Sequence, residues 1–403
     1  MHLLLGLTGL ITACNIASFF IRINLEVNII FTLFSMMGIY LERREAAVEL
    51  KRWRQAVLNS HLSTKIAFSL FLVIALLRTV SPSEIADEGG YHIPLIRWIE
   101  SYPIVPGIAN IEDRMGFNPS KYIADAFFSV PYLFKGGLYE LNSFLFLIFN
   151  GYFLWGYERL IRKNFDCFYS DLIAAAGTVF LWRAYLTSVD ADYLNIFLGL
   201  CILIWLVRKI EINALLRLDE WAILITLFFS LILTVKFSSA LIGLPLLLLW
   251  VSILRLEKGN FFFSCLLAIG MVILAPWVGR NYIITGYPIY PLYFIKIGNP
   301  EWQVLPEIAK GQYEYIREYA KTEKVCSYND YRIGNLTLKA WFSHWIKINW
   351  TMLIGKVIFF GVPIALALLM AFSFTRFFGL KSPLLLCTSA MLLAGMVFWF
   401  FRF

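Results

Sequence analysis

Charged residues are scarce in this sequence: Asp, Glu, Lys and Arg make up only 15% of its 403 residues. A soluble domain carries about 25% charged and about 45–50% apolar residues. Here 60% of the residues are hydrophobic, with 36 Phe, 20 Tyr and 13 Trp, and the mean hydropathy is +0.70. This composition excludes a pair of soluble domains and predicts a polytopic membrane protein.

The familiar motifs of soluble enzymes are also missing. The sequence contains no GxxxxGK[ST], HExxH or GxSxG motif. Its six cysteines form no CxxC pair, so we expect small core residues and no disulfide framework. The sequence also has no internal repeat clear enough to indicate an inverted-repeat transporter. The net charge of +8 does not indicate nucleic-acid binding, because basic residues collect beside membrane spans on the cytoplasmic side.

Long apolar runs fill most of the chain. A membrane-spanning helix needs roughly 17–25 mostly apolar residues. By that measure the sequence predicts about eleven spans, near 2–20, 25–41, 64–80, 138–157, 170–186, 192–207, 220–235, 237–254, 261–278, 350–373 and 383–402. The first run lacks the basic n-region and the cleavage site of a signal peptide, so we expect it to be retained.

Basic residues cluster in alternate short connections between these runs. They are Arg43, Arg44, Lys51, Arg52, Arg54, Lys65, Arg159, Arg162, Lys163, Arg208, Lys209, Arg217, Arg255, Lys258, Arg376 and Lys381. The positive-inside rule places these connections in the cytoplasm. The sequence therefore predicts one all-α integral membrane domain over 1–403, with two large outer loops, 81–137 and 279–349. We expect these loops to contain amphipathic interface helices and to carry the function.

The first outer loop begins with an acidic pair, Asp87 and Glu88, directly after the third predicted span. A carboxylate there suits a general base toward a hydroxyl, or a ligand of a divalent cation such as Mg or Mn. The two glycines that follow let the backbone approach a ligand, and Tyr91 and His92 add hydrogen-bonding groups. The alternative is that the acidic pair only ends a span with solvated charge.

Further polar residues follow in the same loop. Apolar residues at helical spacing over 93–104 predict a short helix lying in the membrane interface. The polar cluster after it comprises Asn110, Glu112, Asp113, Arg114 and Asn118. Proline and glycine on either side predict defined turns, whereas the alternative is a hydrated loop.

Three charged residues mark other outer turns. Asp190 and Asp192 lie between two spans, and Lys236 interrupts an apolar hairpin. Charges at a membrane edge must be hydrated, paired or bound to a ligand. Lys236 either reaches the interface, faces an anionic group or pairs with one of the two aspartates, which would make all three structural.

The segment 276–292 opens the second large outer loop. Arg280 follows the ninth predicted span, where its guanidinium can grip a phosphate in bidentate fashion. Asn281 and Tyr287 lie in the same stretch, whose aromatic residues alternatively form an interfacial belt. We expect part of 301–331 to be helical, and the residues around Trp341, His344, Trp345 and Trp350 to form an amphipathic interface helix.

These motifs resemble the GT-C glycosyltransferases. Asp87-Glu88 with Tyr91 is similar to the Asp-Glu-x-x-Tyr of the first outer loop in the protein mannosyltransferases and the lipid A aminoarabinose transferases. Tyr-His-Ile-Pro at 91–94, the run from Val105 to Asn118, Ser-Val-Asp-Ala-Asp at 188–192 and the Trp-Val-Gly-Arg-Asn segment that starts at 277 resemble a group of uncharacterised bacterial multi-pass proteins regarded as GT-C-like. The likeness covers about 87–291. It departs at Gly90, where the aminoarabinose transferases commonly carry Arg, and at Phe403, beyond which members of the group often continue, so the chain resembles a truncated form.

The resemblance implies an enzyme that passes a sugar from a polyprenyl-phosphate donor to a glycan, lipid or protein acceptor. It assigns Asp87 the role of base, with Glu88 as its neighbour or substitute, and gives Arg280 and Lys236 the donor phosphate. The residues that would bind substrate are Tyr91, His92, Asn110, Arg114, Asn118, Asp190, Asp192, Asn281 and Tyr287. No metal ligand is assigned, although Asp190 and Asp192 have the spacing of a DxD motif.

The implied setting is the bacterial inner membrane, with the active site on the periplasmic or outer face and a role in cell-surface glycan or glycolipid assembly. Two alternatives remain. An O-antigen-type polymerase or ligase would also have many spans and large outer loops, and would use outer-loop arginines. A non-enzymatic lipid-linked-sugar transporter would carry charge within the bundle and function on both faces.

Overall fold

The computed structural model describes residues 2–81, 85, 87–134, 137–183, 186–212, 220–243, 246, 250 and 259–319. Over these residues the chain is helical and contains no β-strand, which confirms the predicted all-α class for this part of the chain. The predicted spans at 350–373 and 383–402 and the predicted interface helix around Trp341 lie outside the described residues.

Twelve α-helices follow one another along the described part of the chain. They are α1 (His2–Ala17), α2 (Leu25–Leu41), α3 (Arg43–Leu58), α4 (Leu62–Thr79), α5 (Ile93–Ser101), α6 (Ser120–Phe128), α7 (Leu141–Ile161), α8 (Phe168–Arg183), α9 (Ala191–Glu211), α10 (Glu220–Val235), α11 (Gly259–Thr285) and α12 (Pro306–Tyr319). A π-helical turn at Glu88–His92 precedes α5, and 3₁₀ turns form at Ile108–Asn110, Asp113–Phe117 and Phe237–Ile242.

Most predicted apolar runs within the described residues form helices. Helix α2 covers the predicted run 25–41, and α10 covers 220–235. Helix α11 continues to Thr285, past the predicted end at 278 and through Pro276. The run predicted at 237–254 begins with a 3₁₀ turn in place of an α-helix.

Only some of these helices meet a strict criterion for a membrane span. By length and composition, Leu62–Thr79, Ala191–Lys209 and Phe263–Thr285 are long and apolar enough to cross a membrane. Helices α2 and α3 meet at an angle of 90° and would add a fourth span if they are counted together. Helices α1, α8 and α10 are apolar but shorter.

The long helices pack mainly against their neighbours in the chain. Helix α7 lies between α4 and α8, and α9 and α10 extend the same row to α11. Aromatic side chains fill the space between them: Phe149 meets Phe197 with ring centroids 6.1 Å apart, and Trp205 meets Phe228 at 4.8 Å. Close van der Waals packing of these large side chains stabilises the contacts between the helices of the row.

The shorter elements form a layer that is tied to α1 and α11 by backbone hydrogen bonds. Ile23 N–H donates to Ile99 O at 2.9 Å, and Ile104 N–H donates to Ser18 O at 2.8 Å. Gly107 N–H reaches Ile283 O at 2.9 Å. These bonds satisfy backbone groups that a loose loop would leave to water. The described part of the segment predicted as the first outer loop is therefore folded, and the helix predicted over 93–104 is present as α5, which ends at Ser101.

The predicted turns around the polar cluster are present and have a steric cause. Gly107 has φ of +69°, and a Cβ there would lie 2.8 Å from Trp302 Cβ, so a larger residue is excluded. Asn118 adopts a left-handed conformation with φ of 48°, which asparagine tolerates better than most residues. Between them the chain forms two 3₁₀ turns and no hydrated coil.

Gly177 in α8 offers a test of the packing between α7, α8 and α9. A Cβ at this position would lie 2.6 Å from Phe149 Cζ and 3.2 Å from a methyl group of Leu200. We expect Gly177→Ala to lower the melting temperature of the purified protein, because overpacking costs about 1–3 kcal/mol.

Gly151→Ala is the matched control, since nothing lies within 4 Å of its added Cβ. This substitution should keep or raise the melting temperature, because alanine is favoured over glycine in a helix by about 1 kcal/mol. Equal melting temperatures for the two variants would contradict the packing described here.

Candidate functional site

The acidic pair lies at the start of the π-helical turn, which sends the two side chains into different surroundings. The side chain of Asp87 is 54% exposed, whereas Glu88 is 6% exposed. The turn runs directly into α5, so its orientation is set by a helix whose Leu95, Ile96 and Ile99 are buried. One sequence motif thus supplies one accessible and one enclosed carboxylate.

Arg114 holds the accessible carboxylate in place. Its Nη1 lies 3.2 Å from Asp87 Oδ1, and its Nε donates to Glu112 Oε1 at 2.8 Å. The guanidinium also lies 4.7 Å from the centroid of the Tyr91 ring, within the range of a cation–π contact. Asp87, Tyr91 and Arg114, all selected from the sequence, therefore meet in space.

The enclosed carboxylate binds the turn that carries the aspartates. Glu88 Oε1 accepts a hydrogen bond from Val189 N–H at 3.0 Å. Lys121 Nζ donates to Val189 O at 3.0 Å and forms an ion pair with Asp125 Oδ2 at 2.7 Å. Both polar groups of the Val189 peptide backbone are thus held by charged side chains. This arrangement brings the turn at 188–192 against the first outer loop.

The aspartates in this turn differ in their contacts. Asp192 forms an ion pair with Lys236, as one of the sequence alternatives expected. Asp190 Oδ1 accepts from Asp192 N–H at 3.3 Å, and Asp190 N–H donates to Ser188 Oγ at 2.9 Å. Burial raises the pKa of Asp190, and the charge of Asp192 adds to this, while Lys236 opposes it. The turn at 188–192 therefore provides two further carboxyl groups beside the partly exposed Lys236.

His92 is enclosed between aromatic rings. Its ring centroid lies 4.2 Å from that of Tyr91 and 5.4 Å from that of Tyr122, and only 3% of the residue is exposed. Burial, together with the positive charges of Lys121 and Arg114, lowers the pKa of His92 to about 4. His92 is therefore neutral near pH 7, and its ring packs against that of Tyr91.

Asn118 and Arg280 belong to a separate buried group. Arg280 is 3% exposed and donates from Nη1 to Ser18 Oγ at 2.6 Å and from Nε to Asn118 Oδ1 at 3.2 Å. Trp277 Nε1 donates to Asn118 O at 2.9 Å. Asn281 is fully buried, and both of its amide atoms lack a hydrogen-bond partner. No described contact joins Arg280 to Lys236, so the two cations assigned to the donor phosphate lie in different groups.

Asn110 and Tyr287 occupy packing positions at the end of α11. Asn110 Nδ2 donates to Trp302 O at 2.8 Å and to Gly107 O at 3.1 Å. Tyr287 is fully buried, and its hydroxyl donates to Val304 O at 3.1 Å. The Asn110 bond to Trp302 joins the first predicted outer loop to the second, whereas the Tyr287 bond to Val304 lies within the second. Neither side chain contacts the acidic pair.

Sequence reasoning missed the buried pair Lys121–Asp125. Both side chains are 1% exposed, and burial raises the pKa of Asp125 to about 6 although Lys121 opposes this. The available signal was a Lys and an Asp four residues apart within an otherwise apolar segment, which places them on one helix face. Asp113, a further member of the polar cluster, is bonded by Gln312 Nε2 of α12 at 2.7 Å.

The described residues contain no group of three or more His, Cys, Asp or Glu side chains arranged to hold a metal ion. They do place Asp87, Tyr91 and Arg114 on the accessible side of the turn, and Asp190, Asp192 and Lys236 in the neighbouring turns. We call these six residues the outer site. Its carboxylates can accept a proton and its cations can neutralise an anionic group.

The neutral state of His92 makes a prediction about pH. The folded-state pKa of about 4 lies below the value of about 6.5 in an unfolded chain, so the unfolded state binds the proton first as the pH falls. The contribution of His92 to stability should therefore be fully present above about pH 6.5 and be lost toward about pH 4, by on the order of 3 kcal/mol, whereas the raised pKa of Asp125 acts in the opposite direction. Thermal unfolding between pH 4.5 and 7, compared between the wild type and a variant without the imidazole, isolates this loss.

His92→Gln removes the titrating group, so its melting temperature should fall less over this pH range than that of the wild type. Tyr122→Phe is the control, because it alters the neighbouring ring without removing a group that titrates between pH 4 and 7. Parallel pH profiles for the wild type and His92→Gln would refute the assignment.

Comparison with known proteins identifies the family of this chain but no characterised relative. No curated protein and no solved structure matches the chain. A family model described as a domain of unknown function (DUF8201) matches residues 1–403, and the chain therefore belongs to the DUF8201 family.

Proposed function

We propose that this chain is a membrane glycosyltransferase of the GT-C type. It would move a sugar from a polyprenyl-phosphate donor to a glycan, lipid or protein acceptor on the outer face of the bacterial inner membrane, in cell-surface glycan or glycolipid assembly. The observation that supports this most directly is the outer site, where the exposed Asp87 is held by Arg114 and lies in the same region as a second acidic turn and Lys236.

Asp87 is the proposed general base. Its carboxylate is accessible, and Arg114 and the π-helical turn fix its direction. In the proposed step the acceptor oxygen attacks the anomeric carbon of the sugar and gives its proton to Asp87. The bond between that carbon and the phosphate oxygen breaks, and the electron pair leaves with polyprenyl phosphate. A phosphate is a good leaving group, so activating the acceptor and neutralising the phosphate are the main tasks.

Glu88 is the proposed positioning residue. Its oxygen accepts the Val189 N–H and its side chain is buried, which suits a carboxylate that orients the turn at 188–192. A base must reach the proton that it removes. The exposed member of the pair meets this requirement better than the enclosed one.

Lys236 is the better placed of the two cations proposed for the donor phosphate. Lys236 is ion-paired with Asp192, the arrangement that the sequence analysis took as structural, but its side chain is 24% exposed, so in the proposed function a phosphate replaces Asp192 as its partner. Arg280 is 3% exposed and already donates to neutral oxygens of Ser18 and Asn118. Arg114 is a further candidate cation, since a third of its side chain is exposed beside Asp87.

The proposed membrane setting draws on the exposed apolar surface. Leu70, Leu76 and Leu77 of α4 are each exposed by 58–61%. Soluble proteins rarely expose such contiguous apolar patches, whereas lipid would cover them. The full proposal comprises about eleven spans, with the basic connections in the cytoplasm and the outer site on the opposite face.

The proposed sidedness can be tested by labelling single cysteines in a cysteine-free background. Ile111 lies beside the outer site and is 66% exposed, and Gln55, on the polar face of α3, is also exposed. An impermeant maleimide should label Ile111→Cys in intact spheroplasts, but Gln55→Cys only after the membrane is opened. Labelling of both positions in intact spheroplasts, or the reverse order, would overturn the orientation.

The proposed base can be tested in lipid nanodiscs that contain polyprenyl-phosphate mannose, glucose or aminoarabinose with a cell-envelope lipid extract as acceptor. Asp87→Asn should slow the release of polyprenyl phosphate by about 10²–10⁴-fold, because it removes the proton acceptor. Donor binding should remain, since the amide keeps the shape of the side chain.

Glu112→Gln is the matched control, because Glu112 bonds the same Arg114 but lies outside the outer site. Its rate should stay within about tenfold of the wild type. An unchanged rate in Asp87→Asn would refute the assignment of the base. Movement of the intact donor across the membrane without release of polyprenyl phosphate would favour the transporter instead.

A further inference from the structure

Helix α3 stands apart from the helical row. None of its residues is buried within the described structure. It follows α2 after a bend of 90°, and the described contacts at its far end include a hydrogen bond from Lys65 Nζ to Leu58 O at 2.9 Å. Most of the stability of a helix in a protein comes from the packing of its apolar face, so a helix with no buried residue needs another partner for that face.

One face of α3 is apolar. Ala46, Leu50, Trp53 and Val57 follow at spacings of four, three and four residues, which places them in one stripe. Leu50 is 72% exposed, and Trp53 and Val57 are 61% exposed. Such a stripe needs an apolar cover.

The charges on α3 are distributed unevenly around this stripe. The helix has five basic and two acidic residues. Arg43 and Arg54 are eleven residues apart, about three turns, and both lie along one border of the stripe. Glu49 lies along the other border and forms an ion pair with Arg52 at 2.5 Å. A basic helix with Trp and Leu on its apolar face is typical of helices that lie in a membrane interface.

The neighbouring helix α2 determines how α3 would be oriented relative to a membrane. Its second half is exposed on all sides, with Leu33, Phe34, Met36 and Met37 exposed by 61–71%. A helix that is apolar all round is a membrane span when no protein covers it. If α2 crosses the membrane, the bend of 90° sends α3 along the membrane surface. At the junction Arg43 lies 5.0 Å from the centroid of the Tyr40 ring, and both residue types favour the headgroup region.

We infer that α3 lies in the plane of the cytoplasmic membrane interface and binds the headgroups of anionic phospholipids through Arg43 and Arg54. The inference rests on the membrane setting proposed above, but not on the transfer chemistry. The cytoplasmic leaflet carries the anionic lipids, and each basic residue near its surface contributes about 1 kcal/mol to attraction. The apolar stripe faces the acyl chains, while the helix flank that carries the two arginines faces phosphate.

The test uses the full-length protein, made cysteine-free and carrying bimane at Leu50→Cys, in nanodiscs of phosphatidylcholine. Bromine-labelled phosphatidylglycerol or bromine-labelled phosphatidylcholine is added at increasing mole fraction. Bimane should be quenched by both lipids, with a clear preference for phosphatidylglycerol. Arg54→Gln should reduce this preference about fivefold, the change that corresponds to one basic residue.

Arg52→Gln is the matched control, because it removes the same charge from the polar face of α3, away from the border that carries Arg43 and Arg54. Its lipid preference should equal that of the parent protein. A second measurement needs no label: phosphatidylglycerol should raise the melting temperature of the native chain and of Arg52→Gln more than that of Arg54→Gln.

Three results would overturn the inference. Absence of quenching by either lipid would mean that protein covers the stripe, from another part of this chain or from a second copy. Equal quenching by both lipids would leave insertion without headgroup recognition. Equal losses in Arg52→Gln and Arg54→Gln would reduce the effect to net charge. Release of polyprenyl phosphate, measured on the same discs, separates failure of this inference from failure of the proposed enzyme.

Discussion

The peptide backbone of Val189 joins the first outer loop to the turn at 188–192. Its N–H is bound by Glu88 and its carbonyl by Lys121, both of which are buried. Burying these charges is costly unless each finds a partner, and Asp125 completes the arrangement by pairing with Lys121. Loss of any member would leave a buried charge or a buried backbone group without a partner. The relative position of the carboxylates in the outer site therefore depends on this network.

The same network explains why two adjacent acids differ. Consecutive residues in a helical turn point in different directions, so enclosing Glu88 leaves Asp87 outside. Arg114 then binds the outer carboxylate and lies against Tyr91. An exposed and an enclosed carboxylate suit different tasks, because only the exposed one can reach the proton of an acceptor. The proposed base and the proposed positioning residue follow from this division.

The two ends of the proposed membrane protein differ in how far they are held by contacts within the chain. On the outer side, short helices and 3₁₀ turns are tied to α1 and α11 by backbone hydrogen bonds, and polar side chains bond to one another. On the other side, α3 has no buried residue in the described part of the chain. Its apolar stripe and the basic residues along one border of that stripe are both exposed. A rigid outer layer suits a site that must hold reacting groups in place. An exposed amphipathic helix suits a surface that lipid completes.

Local composition determined the long apolar helices, because an apolar run of sufficient length favours a helix wherever it lies, whereas the polar helix α3 was not predicted. The bounds of α2 and α10 were thus available from the sequence, as were the α5 helix and the turns at Gly107 and Asn118. All six residues of the outer site were among the candidates selected from the sequence, because they are charged or hydrogen-bonding residues in the predicted outer segments. The tertiary structure alone decided which of them meet: it paired Lys236 with Asp192 and enclosed Arg280 with Ser18.

Pairing across long separations depends on how helices pack, which no local pattern encodes. For the same reason the buried pair Lys121–Asp125 was visible as a spacing but not as a support of the site. Its role arises only where α6 meets the turn at 188–192 and burial makes each unpaired charge expensive.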